Sequence, residues 1–109
     1  MENKTETDIL QTKKLHALCD VITNQSQERL KIEKLDCKAN LDNAVAHYHS
    51  TKKYTKINTG TSGKYMVVNK TGEIYGIKAY GVIHRGHFYG TLNSISEYYW
   101  GGYTARKIK

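Results

Sequence analysis

His84 and His87 bracket Arg85-Gly86 in an H-x-x-H, and Tyr89 follows closely. Val82–His84 and His87–Tyr89 read as the arms of a two-residue hairpin, with Gly86 supplying positive φ. On that reading the imidazoles face each other across the turn, their Cβ atoms roughly 4.5–5.5 Å apart. Such a pair suits two ligands on one metal, two histidines on a phosphate, or the polar residues of an ordinary turn. Zinc would need a third ligand, which Glu97 or His49 would have to bring from elsewhere in the fold. Gly81, Gly86 and Gly90 also allow the segment to be an irregular functional loop. A metal-independent ribonuclease needs only a general base and a phosphate clamp. His84, Arg85, His87 and Tyr89 are the candidates for that chemistry.

The rest of the sequence argues for binding rather than catalysis. Only Glu73 and Glu97 are acidic after Ser50, which leaves no paired carboxylates there. Neither a phosphate loop nor a dinucleotide fingerprint occurs, and Ser62, Ser94 and Ser96 lack a nucleophile-elbow context. The expectation is therefore no catalytic residue, no metal and no cofactor. His47 and His49, placed two apart on an expected helix, would point about 200° apart and could not share one ion.

Cations interleaved with rings give the stronger signal. From Met1 to Ser50 there are seven Lys/Arg against eight Asp/Glu, and from Thr51 to Lys109 ten against two. All eleven aromatic residues and all nine glycines lie at or after Tyr48. Lys52, Lys53, Lys56, Lys64, Lys78, Arg85 and Arg106 are candidate phosphate contacts. Tyr75, Tyr80, Phe88 and Tyr89 are candidate stacking rings for unpaired bases, and His87 completes the expected nucleic-acid-binding set. Alternatively the tyrosines build a sheet core and the lysines keep it soluble. Arg85-Gly86 is followed by histidine rather than Phe/Tyr, so the pattern departs from that of an RNA-recognition motif. The expected partner is nucleic acid, single-stranded in preference, or else an acidic, nucleic-acid-processing or defence protein of the host that the basic face would bind and block.

These residues need elements to hold them. Asp8–Ser50 lacks proline and glycine and reads as helical, with Leu15, Leu18, Cys19 and Ile22 on one stripe. Asp8 is the expected cap, and the polar run Thr23–Gln27 an interruption. Leu30, Cys37, Leu41, Ala44, Val45 and Tyr48 make a second stripe, with a break near Asp36 and one, two or three helices in all. After Ser50 the period becomes that of strands: Tyr54–Asn58, Lys64–Asn69 and Glu73–Tyr80, joined by turns at Thr59–Gly63 and Lys70–Gly72. Glu73–Tyr80 is expected to be a central strand, with Tyr75, Ile77 and Ala79 facing the core and Lys78 and Tyr80 facing out. Ser94-Ile-Ser-Glu97 has capping-box spacing for a short helix closed by Gly101, and Tyr103–Ile108 reads as a last strand. Tyr98-Tyr99-Trp100 reads as a packing anchor, or else as an exposed interface. The expected fold is α+β: residues 1–50 helical, and residues 51–109 a basic, aromatic-rich, mostly antiparallel sheet with a short helix near the C-terminus.

Lys53-Tyr-Thr-Lys-Ile57, followed by Tyr65-Met-Val-Val and Thr71-Gly-Glu-Ile-Tyr75, resembles small uncharacterised proteins carried by tailed bacteriophages. Those proteins have a lysine-tyrosine-x-lysine-isoleucine strand and a hairpin with a Thr-Gly-acidic turn after a polar helical leader. The similarity spans residues 53–83. Past it, Tyr80–Gly90 stands in place of an Ala/Trp/Pro-rich continuation. The resemblance implies a phage or mobile-element origin, and it carries over no catalytic residue and no activity; the expected role is that of a small accessory protein in the host cell. No run has the length of a membrane helix, and the polar N-terminus lacks a secretory h-region. Cys19 and Cys37, both expected on helices, read as buried thiols in a reducing cytoplasm.

Overall fold

The computed structural model describes residues 6–60, 62–79, 82–102 and 104–108. Helix α1 spans Glu6–Ile32 and short α2 spans Lys38–Asn43. An antiparallel meander comes next, β1 Ala46–Ser50, β2 Tyr54–Thr59, β3 Ser62–Val68, β4 Glu73–Ala79 and β5 Val82–Thr91, paired in chain order. A 3-10 turn at Ile95–Glu97 leads to the short ribbon β6 Tyr98–Tyr99 and β7 Arg106–Lys107. The fold is α+β. Among the described residues, no helix is long and apolar enough to cross a membrane.

Helix α1 lies on one face of the sheet. Leu15, Leu18, Cys19 and Ile22 pack with Ile57, Tyr65, Val67, Ile74 and Trp100 into the core. Each Leu or Ile so buried contributes about 1.5–3 kcal/mol. The helix starts by Glu6, so Asp8 lies inside it rather than capping it. It also runs unbroken through Thr23–Gln27, because tertiary partners use those polar groups. Thr23 Oγ1 accepts the Ala46 N–H at 2.8 Å and Gln25 Oε1 accepts the Trp100 N–H at 2.7 Å. Gln27 donates to the Leu41 carbonyl at 3.0 Å. The polar run thus ties strand, ribbon and second helix to α1.

The break after α1 is a backbone device. Lys34 takes φ 59°, Leu35 N–H bonds the Leu30 carbonyl at 2.8 Å and Lys34 N–H bonds the Lys31 carbonyl at 3.1 Å. That pattern closes a helix on a left-handed residue. Asp36 does not cap the second helix. Cys37 is the N-cap of α2, in extended geometry, and its thiol is exposed rather than buried.

The helical reading ends early, because residues 46–50 form a strand. Tyr48 fits a helical stripe by spacing, but pairing with β2 decides the matter: Tyr48 opposes Ile57 and His49 opposes Lys56. Local propensity yields to the ladder. His47 and His49 therefore share a strand face, which corrects their expected opposition.

Two other expectations fail on register. Arg85-Gly86 is not a hairpin turn, because β5 is continuous and Arg85, Gly86 and His87 lie between partners: His84 opposes Gly76 and Phe88 opposes Tyr75. On β4 the facing is inverted. Ile74 is fully buried in the core beside buried Gly76, while Tyr75 and Ile77 are half-buried and Ala79 is exposed. Glycine at 76 misleads a sequence reading, since it offers no apolar group to mark the core side. Tyr80 and Gly81 lie outside the described residues, as does Tyr103. Near the C-terminus, Ser94 makes no side-chain cap to the 3-10 turn and its hydroxyl bonds Thr91 instead. Gly101 sits after a strand, not a helix. A Cβ there would lie 2.7 Å from the Gln25 carbonyl oxygen, so its role is close approach to α1. The last strand shrinks to Arg106–Lys107. Trp100, fully buried, is the packing anchor.

Candidate nucleic-acid interface

The face of the sheet turned away from α1 carries an uncovered cluster. Alternation in β2 sends Thr55 and Ile57 into the core and leaves Tyr54 and Lys56 on the outer side. Lys56 opposes Met66, and Met66 opposes Tyr75, which opposes Phe88. Met66 is buried without belonging to the helix-side core, so it forms the floor of this outer cluster. The Tyr75 and Phe88 rings lie 5.4 Å apart, tilted by 53°. Phe88 is 49% exposed.

Arg85 closes over this cluster. Its guanidinium carbon lies 5.4 Å from the Tyr75 ring centre, and Nη2 donates to the Tyr54 hydroxyl at 3.2 Å. The extra residues in β5 make this possible by lifting Arg85 out of the ladder, as bulges commonly re-aim a side chain. A cation held over a ring and anchored by a phenol is preorganised to meet a phosphate or to stack on a base. Between Ala46 and Thr91 there are seven Lys/Arg and a single acid, Glu73. Glu73 accepts from its neighbour Thr71 at 3.1 Å, at the far end of β4.

The expected residues do not all converge. Lys56 and Arg85 belong to the outer cluster, and exposed Lys52 and Lys53 occupy the loop that ends beside Tyr54. Lys78 is exposed near the end of β4. Arg106 lies elsewhere, its guanidinium 5.6 Å from the Tyr99 ring on the small ribbon. Tyr80 lies outside the described residues. Lys64, His87 and Tyr89 are on the helix side, lining a different cleft. Tyr54 and Met66 were missed by the sequence reading, although alternation with buried Thr55 and Ile57 marks the Tyr54 side as outer.

The helix-side placement of Lys64 has a local cause. Ile57 opposes Tyr65 and Asn58 opposes Gly63, so Lys64 is the extra residue of a bulge and leaves strict alternation. Burial lowers its pKa from 10.5, and Arg29 adds to the effect. Beside it, Tyr65 is 2% exposed, and its buried hydroxyl makes no hydrogen bond of good geometry among the described residues, the Ala105 backbone approaching it less favourably. Burial raises the Tyr65 pKa, Tyr89 raises it further, and the Ala105 backbone offsets part of the rise.

The histidines form neither a cross-turn pair nor a chelate. Their rings stack at 4.0 Å and 11°, and His84 Nδ1 accepts the Gly86 N–H at 3.1 Å. Near-parallel imidazoles direct their in-plane lone pairs side by side rather than toward one ion. Among the described residues no group of three or more His, Cys, Asp or Glu is placed to hold a metal. The ribonuclease candidates are also divided, since Arg85 lies over Tyr75 on the outer face and His87 and Tyr89 approach Gly76 on the other. In comparisons with protein families, curated proteins and solved structures, the chain matches none.

Proposed function

We propose that the protein is a small accessory protein, of the phage type its strand motifs resemble, that binds single-stranded nucleic acid on the outer face of the sheet. The observation that carries this reading is Arg85 laid over Tyr75 and bonded to Tyr54, beside the half-exposed Phe88. Phe88 offers a ring for an unpaired base, and the guanidinium offers both a stacking plane and a phosphate contact. Lys52, Lys53 and Lys56 lie along the path of a backbone crossing from β2. A duplex keeps its base faces paired and stacked, so a platform of this kind favours single strands. The separation of Arg85 from His87 and Tyr89 argues against one ribonuclease site assembled from them.

Fluorescence anisotropy with a labelled single-stranded oligonucleotide tests the reading. Affinity should fall steeply with salt, and Phe88→Ala and Arg85→Ala should each weaken binding by about 1–3 kcal/mol. Absence of binding at low salt would remove the proposal. Binding that depends on Lys52, Lys53 and Lys56 but not on Phe88 would mean an electrostatic contact only. An acidic host protein blocked by the basic face would then be the better reading.

A further inference from the structure

The outer face continues past β2 to the edge strand β1. Tyr48 packs with the helix-side core, and its hydroxyl meets Nε2 of His16 on α1 at 3.1 Å. Alternation along β1 therefore turns His47 and His49 to the outer face, and both are exposed. Ladder pairing places His49 opposite Lys56, Lys56 opposite Met66, Met66 opposite Tyr75 and Tyr75 opposite Phe88. Directly opposed residues share a sheet face. One row thus crosses all five strands, from an imidazole on β1 to the half-exposed phenyl ring on β5. His47 stands two residues from His49, at the same end of the row.

The chemistry of the row suits an anionic chain that carries flat bases. Strands β1, β2, β3 and β5 contain no aspartate or glutamate. Glu73, the acid of β4, stands two residues to the side of Tyr75 and accepts from the Thr71 hydroxyl at 3.1 Å. An imidazole can stack on a base or donate to a phosphate oxygen. A path along β4 lacks such groups, since Tyr75 is followed on its face by Ile77 and Ala79. Strands lie about 4.8 Å apart, so the four gaps from β1 to β5 span about 19 Å. A stacked strand advances about 3.4 Å per nucleotide, which puts at most about six nucleotides on that span. Splaying bases onto rings lengthens each step, and about four nucleotides then cover the row.

We propose that the nucleic-acid strand on this face lies across the β-strands, occupies about four nucleotides and makes its last contacts at His47 and His49. Resting on the single-strand reading above, this fixes the length of the ligand and the far end of its site. Full-length protein is titrated at low salt with oligothymidylates of two, four, six and eight nucleotides, in competition with a labelled octanucleotide. Affinity should rise about ten-fold or more from two to four nucleotides and less than about three-fold from four to eight. Replacing both exposed histidines, His47→Ala with His49→Ala, should weaken the tetranucleotide about five-fold or more and leave thermal unfolding unchanged. The dinucleotide should lose less than about two-fold, because it settles at the Arg85 and Phe88 end. Should the double variant not fold, His49→Gln alone carries the same comparison. Undiminished tetranucleotide binding in the variant overturns the proposal. So does affinity that climbs evenly from two to eight nucleotides, as contact without a fixed site would make it. In both cases weaker binding by Phe88→Ala keeps the single-strand reading, whereas no binding by any of the oligonucleotides removes both.

Discussion

The two faces of the five-stranded sheet are built from the same strands and differ in what covers them. On the helix side, Ile57, Tyr65, Val67 and Ile74 meet Leu15, Leu18 and Ile22, and every one is at most 5% exposed. On the outer side, Tyr54, Lys56 and Tyr75 are half-buried and Phe88 is 49% exposed, and Arg85 reaches over the Tyr75 ring. Rings on the first face are packed edge-on by protein: Tyr65 meets Tyr89 and Trp100 in T-shaped contacts, each at 5.4 Å. Rings on the second face meet solvent and a cation. The difference teaches that aromatic content alone does not distinguish a core from a binding platform. Coverage does, and coverage is set by where α1 docks.

Truncation of a ring on each face should expose this difference most strongly. Trp100 is fully buried, and its indole N–H donates to the Ile95 carbonyl at 3.0 Å. Trp100→Ala should destabilise the protein by about 3–5 kcal/mol in denaturant unfolding. A loss below about 1 kcal/mol would mean that the ribbon is not part of the folding unit.

A smaller effect should appear on the covered side in alkali. Burial pushes the Cys19 thiol up to about 11 from 9.0, with Asp20 adding to the rise. A raised folded-state pKa means stability fully present below pH 9 and lost as pH climbs through 11. The loss from Cys19 should be on the order of 2 kcal/mol over that range. Tyr65, whose pKa is also raised, acts in the same direction at higher pH. Lys64 acts oppositely: its lowered pKa makes the folded state gain stability as pH rises toward 10.5. Urea unfolding at pH 8, 9, 10 and 11 should show a decline that Cys19→Ala reduces. A decline of the same size in the variant would assign it to Tyr65 or to other groups.

The smallest effect belongs to the open face. Phe88→Ala should change stability by less than about 1 kcal/mol, as a half-exposed ring gains little from burial. A loss comparable to that of Trp100→Ala would show that the outer cluster is a second core, and the binding platform would fall with it.

Much of the architecture was legible in the chain. The stripe Leu15, Leu18, Cys19, Ile22 named the buried face of α1, because a helical period admits no other arrangement of those apolar groups. The strands expected at Tyr54–Asn58, Lys64–Asn69 and Glu73–Tyr80 appear as Tyr54–Thr59, Ser62–Val68 and Glu73–Ala79, and the turn at Gly72, with its φ of +78°, and the packing role of Trp100 were also readable. The fold class comes from the same local rules of period and turn chemistry.

Tertiary structure decided the rest, wherever one residue's neighbours came from far along the chain. Tyr48 is a strand residue because it pairs with Ile57, and Thr23–Gln27 stays helical because distant backbone groups bond to it. Alternation predicts facing only while register is strict, so the bulges at Lys64 and at Arg85–His87 moved those side chains to faces that no local pattern announced. Glycine at 76 hid the core side of β4. The sequence by itself determined which groups are available for binding. Docking of α1 on one face, together with irregularities in the ladder, decided that they divide between the outer face, where Arg85 lies over Tyr75, and a cleft on the helix side.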